Sequence, residues 1–140
     1  MLEPLASHTW PTDRCALATL SVRVDELAAR LGLPVFTWQE EGLGTARGVA
    51  CRLPSGRVFL LEELEMSVRY QNAKGPNVYV DATDLGNQRV EALLNEVLEG
   101  LQLSLSDVNW LAEAAAQQSA AKLAAGVRAA KGRRQPNARE

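Results

Sequence analysis

The chain has 140 residues, 46% of them hydrophobic, which is the size and composition of one globular domain around a single core. Fifteen lysines and arginines against 17 aspartates and glutamates give a net charge of −2, so the molecule as a whole has no attraction for nucleic acid or an anionic membrane, and a nucleic-acid role needs a local patch. The opening MLEPLASHTWP has no basic n-region and no apolar h-region, and no stretch reaches the roughly 18 apolar residues that span a bilayer, so no membrane association is expected and the cytoplasm is the default compartment.

Residues 1–21, with Pro4, Pro11 and scattered polar groups, read as an irregular lead-in to one domain over 22–131. In SVRVDELAARLGLP, Val24, Leu27, Ala28 and Leu31 follow the spacing of one helix face, Ser21 is a candidate N-cap, and Gly32 and Pro34 are stop signals, which predicts a helix over about 22–32. PVFTWQE is short, β-branched and aromatic and reads as a strand, with EEGLGTARG as its flexible exit. In GVACRLPSGRVFLLEELE the Pro54-Ser55-Gly56 turn predicts a hairpin in which Leu53 faces Arg57, Cys51 faces Phe59 and Val49 faces Leu61. Both faces of that hairpin are largely apolar, so it is expected to be central in the sheet with helices on at least one side. LEMSVRY alternates as a half-buried strand, QNAKGPN is a loop, and NVYVDAT is a further short strand.

The rest reads as helical. VEALLNEVLEGLQL places Val90, Leu93, Leu94, Val97, Leu98 and Leu101 on one stripe, and an Ala-rich helix is expected from a Ser104 or Ser106 cap onward, docking through Val108, Leu111 and Ala115. KGRRQPNARE, residues 132–140, is expected to be a disordered basic tail. The fold class predicted is α+β, a mostly antiparallel sheet of about four strands with an N-terminal helix and two C-terminal helices packed on it.

Few residues here can carry chemistry. The two cysteines lack the paired spacing of a zinc or thiol-redox site and read as free thiols, with a disulfide as the alternative. His8 is the one histidine, so a histidine-built metal site or catalytic triad would rest on it alone. GLGTARG precedes a strand instead of a helix N-terminus and is read as a loop, not a phosphate site. VDELAARLGLPVFTWQEE does not make a helix-turn-helix, because its second half favours strand and lacks basic recognition residues. No cofactor, no metal and no catalytic residue is expected.

The remaining constellation is acidic: Glu62, Glu63 and Glu65 at the exit of the hairpin, with Asp81 and Asp84 at the same end of the sheet if the strand ending at Val80 brings them there. Three uses are open. Carboxylate pairs serve acid–base or Mg²⁺ chemistry when a cation or histidine orients the substrate, an acidic strand exit protects a sheet edge from aggregation, and a carboxylate row beside exposed aromatics such as Trp38 and Tyr70 suits a basic protein partner. The last is the reading adopted, with these seven residues as the candidate partner-binding set.

By size, acidic balance, α+β order and lack of catalytic groups, the chain is similar to the immunity proteins that bacteria carry beside polymorphic toxins, a resemblance of type over most of its length. It implies a non-enzymatic inhibitor that binds one toxin or effector domain with acidic groups against a basic cleft. The helix, sheet and further helices are also similar to small acidic secretion chaperones, although the Ala-rich C-terminal helix and basic tail depart from that pattern. A nucleic-acid role comes third and would rest on Lys122, Arg128, Lys131, Arg133, Arg134 and Arg139.

Overall fold

The computed structural model describes residues 2–6, 13–65, 75–85 and 90–112. Its strands are β1 (Glu3–Pro4), β2 (Arg14–Leu20), β3 (Phe36–Glu40), β4 (Gly44–Arg52), β5 (Val58–Leu64), β6 (Asn77–Asp81) and β7 (Val108–Leu111). Its helices are α1 (Val24–Leu31), α2 (Ala82–Leu85) and α3 (Val90–Leu101). All strand pairs are antiparallel, in the order β1-β4-β5-β6-β2-β7, with β3 also paired to β4. The class is therefore the α+β expected, with seven strands among the described residues in place of about four.

The central hairpin forms in the register that its turn dictates. Val49 pairs with Leu61, Ala50 with Leu60, Cys51 with Phe59 and Arg52 with Val58. The Leu53 amide donates to the Arg57 carbonyl at 2.7 Å, and Gly56, at φ 94, supplies the left-handed residue that a three-residue turn needs. Gly48, opposite Glu62, matters for another reason. A Cβ there would lie 1.9 Å from the Leu61 carbonyl oxygen, so only glycine lets β4 and β5 approach at that point.

One face of the sheet carries the core. Leu17 and Leu20 of β2, Val49 and Cys51 of β4, Phe59 and Leu61 of β5, and Val78 and Val80 of β6 meet Val24, Leu27 and Ala28 of α1 and the Val90, Leu93, Leu94, Val97, Leu98, Leu101 stripe of α3. Burial of these side chains is the main favourable term in folding. Cys51 lies in this core as a free thiol, its pKa pushed up to about 11 by burial. Free Cys15 is aligned with it across Phe59 and Val80, three strands away and out of disulfide reach.

Four readings of the sequence change. Residues 14–20 are not lead-in: RCALATL is an inner strand between β6 and β7, and its bulge between Ala16 and Ala18 breaks the alternation by which a strand is recognised. Residues 108–111 are strand, not helix, because VNWL completes the sheet beside β2, while Ser104 caps only the short 3₁₀ turn Leu105–Asp107. Gly44–Gly48, taken as loop, is the first half of β4. Ser21 does not cap α1; its hydroxyl donates to the Asp107 carbonyl and Arg23 stands at the N-cap. Of the strand expected over 64–70, Leu64 is the last residue of β5 and residues 66–70 lie outside the described residues, as do the helix beyond 112 and the basic tail.

The opposite face has Ala46, Ala50, Leu60 and Glu62 buried on it, and their burial goes with a strong coil of the sheet. Four inter-strand steps separate β2 from β3, which would be about 19 Å if the sheet were flat. Yet Arg14 Nη2 at the start of β2 donates to Glu40 Oε2 at the end of β3 at 2.8 Å. These residues occupy diagonally opposite corners, and the coil lifts both over the same face. The result is a cup whose floor is the middle of β4, β5 and β6.

Candidate functional site

Glu62 sits in the floor of this cup, 3% exposed, between Gly48 of β4 and Asn77 of β6. Above it, Glu40 accepts from Arg14 and, at 3.2 Å, from Trp38 Nε1. The Arg14 guanidinium also lies 5.2 Å from the centre of the Tyr79 ring. Asn77 ties the far side: its Oδ1 accepts from Thr19 Oγ1 at 2.9 Å and its Nδ2 donates to Tyr79 Oη at 3.5 Å. These positions follow from strand alternation, since Glu40 and Trp38, Gly48 and Ala46, Glu62 and Leu60, and Asn77 and Tyr79 share one face.

The two carboxyls are held in different states. Burial alone would raise Glu40, but hydrogen bonds from Trp38, Glu62 and Arg14 and the Arg14 charge outweigh it and hold Glu40 below the ordinary carboxylate range. Glu62 is pushed up to about 7 by burial first, then by its hydrogen bond to Glu40 and the Glu40 charge, with only partial relief from Arg14 and Tyr79. Tyr79 is raised by burial and by Glu62. Glu62 Oε2 is buried and meets no hydrogen-bond donor, the one such atom among the described residues. A proton on Glu62 supplies the missing donor by bonding to Glu40.

A pH dependence follows. The unfolded chain releases the Glu62 proton near the ordinary value of 4.5, whereas the native protein keeps it until about 7. Between these values the native state binds more protons, so stability falls as pH rises and levels off above 7. Wild type minus Glu62→Gln should lose about 3 kcal/mol between pH 4 and pH 8, from a shift of 1.36 kcal/mol per pH unit. Paired urea titrations check this, and a difference that stays flat with pH would remove the proton from the Glu40–Glu62 pair.

The other members of the expected acidic set are dispersed. Glu63, 4% exposed, points to the helix face and accepts from Arg23 Nε, and from Arg47 Nε and Nη2 at 3.3 Å each, while Arg47 Nη2 also reaches Asp25 Oδ2 of α1 at 3.1 Å. It is a structural carboxylate that pins α1 to β4 and β5. Glu62 and Glu63 are thus interior and on opposite faces, not an exposed row, and Glu65 alone of the three is exposed. The antiparallel β5–β6 register puts Asn77 beside Glu62 and sends Asp81 and Asp84 to the other end of the sheet. There Asp81 Oδ1 accepts from the Thr83 amide at 2.8 Å and Asp84 Oδ1 lies 3.9 Å from Arg57 Nε. Trp38 does join Glu62, through Glu40; Tyr70, like His8, lies outside the described residues.

Arg14, Glu40, Tyr79, Asn77 and Thr19 were missed from the sequence, because only the coil of the sheet brings them together. Among the described residues no group of three His, Cys, Asp or Glu side chains could hold a metal, and no helix is long and apolar enough to cross a membrane. No protein-family model, no curated protein and no solved structure matches the chain.

Proposed function

We propose that the protein is a non-enzymatic binding module, an immunity-type inhibitor that captures the basic surface of a bacterial toxin or effector domain. The observation that carries this reading is the cup: two carboxyls and one guanidinium leave it a positive charge short once Glu62 ionises, at a partly open mouth where Arg14 is 29% and Glu40 21% exposed. Keeping one carboxyl oxygen, Glu62 Oε2, buried without a donor costs about 1–3 kcal/mol, which argues for a use of the site. The β3–β4–β5 register sets Glu40, exposed Glu41 and exposed Glu65 at one end of the sheet, so the outward acidic face is this group and not Glu62–Glu63–Glu65. Long-range attraction from such a face speeds association with a basic partner, while Trp38 at the mouth favours residence.

The test begins with co-purification of partners from the native host and continues with the purified pair. Replacing Glu40, Glu41 and Glu65 by glutamine should slow association at low salt by about tenfold and leave the rates at high salt close together. A triple variant that associates as fast as wild type at low salt would end the proposal, and recovery of a secretion effector as the partner would make the protein a chaperone instead.

A second reading draws on the same pair. Carboxyls pushed to different protonation states, with Arg14 and Tyr79 beside them, have the composition of an acid–base site, and Arg14 is the orienting cation that the sequence did not reveal. Turnover of the partner or of a small molecule that is lost in both Glu40→Gln and Glu62→Gln would favour it.

A further inference from the structure

Resting on that reading of a basic protein partner, we propose that the Glu40–Glu62 pair is a subsite for one lysine ammonium, inserted by the partner through the mouth of the cup. Three observations converge on this chemistry. Glu62 Oε2 is a buried acceptor with no donor, on a residue 97% buried, counted from its 3% exposure, and its carboxyl interacts with Glu40, which lines the mouth. The charged and titratable groups that face Glu62 are Glu40 from β3, Arg14 from β2 and Tyr79 from β6, while β4 presents only Gly48. Arg14 is committed to Glu40 and to the Tyr79 ring, so with Glu62 ionised the group carries one uncompensated negative charge.

A proton fills that deficit in the free protein, and an ammonium fills it in the complex. The ammonium is favoured over guanidinium by shape, since it is a compact charge with rotatable donors that can bridge oxygens of two carboxyls, whereas the planar fork matches one carboxylate edge-on. The Tyr79 ring already carries the Arg14 guanidinium 5.2 Å from its centre, so this face of the sheet accommodates a cation beside the two carboxyls. Proton and ammonium compete for the same oxygen, so capture of the lysine releases a proton and tightens as pH rises through neutrality.

The probe is n-butylammonium chloride, which carries the lysine head group and needs no partner. Glutamate side-chain carboxyl resonances of the ¹³C-labelled full chain are followed against pH in this salt and in sodium chloride at equal ionic strength. The expected result is a severalfold loss of proton affinity at Glu62 in the amine relative to sodium, with a matching perturbation of Glu40 that disappears in Glu62→Gln. Superimposable titrations in the two salts would overturn the subsite and leave a proton or a buried water as what fills it. Because the measurement uses the protein alone, it can fail while the partner kinetics above succeed, and the reverse.

Discussion

Replacing both Arg23 and Arg47 by alanine is expected to destabilise the protein by about 3–5 kcal/mol, the range for leaving a buried charge without partners. The asymmetry of the Glu63 network sets this expectation. Glu63 is 4% exposed, whereas Arg23 and Arg47 are 46% and 33% exposed. Removing the carboxylate leaves two arginines that can turn to water; removing the arginines leaves a carboxylate that cannot. Glu63→Ala should therefore cost less than the double arginine variant, and Glu63→Leu added to the double variant should recover part of the loss. Chemical denaturation of the four proteins decides it, and a double arginine variant as stable as wild type would mean that Glu63 reaches solvent.

Phe59→Ala should also cost about 3–5 kcal/mol, by loss of buried apolar surface plus the cavity left behind. Phe59 is fully buried, flanked by Cys51 and Val80 on the neighbouring strands, under the helices that close the core. A thermal midpoint within error of wild type would show that the core collapses into the space, and would separate this site from the stripe of α3.

What was legible in the sequence were the parts governed by local rules. Pro54-Ser55-Gly56 determines a turn and the turn determines a register, so every pair from Val49–Leu61 to Arg52–Val58 could be counted from it. The amphipathic spacing of α1 and α3 is likewise a property of contiguous residues. Residues 14–20 escaped because an inner strand with a bulge has neither clean alternation nor its partners nearby in sequence. Residues 108–111 escaped because Ser104 gave a true capping signal for a turn that stops after one 3₁₀ segment.

The candidate site was half legible. Glu62 and Trp38 stood out as a carboxylate and an aromatic, but the burial of Glu62 and Glu63 was hidden by their place at the end of an apolar strand among other acids. No local pattern links Arg14 to Glu40, which pair across 26 residues of chain and four inter-strand steps. Sheet coiling is the missing information, and it belongs to the whole sheet instead of to any segment.

The position of β2 has a consequence for how the molecule is made. Its neighbours are Asn77–Asp81 on one side and Val108–Leu111 on the other, so this early inner strand is completed by strands that leave the ribosome long after it. Until residue 81 has emerged, Leu17 and Leu20 have no strand beside them to bury against, and both backbone edges of β2 remain open. Pairing at such sequence separations carries a large loop-closure entropy and slows folding relative to local hairpins. The β4–β5 hairpin can zip on its own during synthesis, whereas the N-terminal segment waits as an apolar strand with two open edges. That interval is when a nascent chain is most exposed to aggregation and most dependent on chaperones.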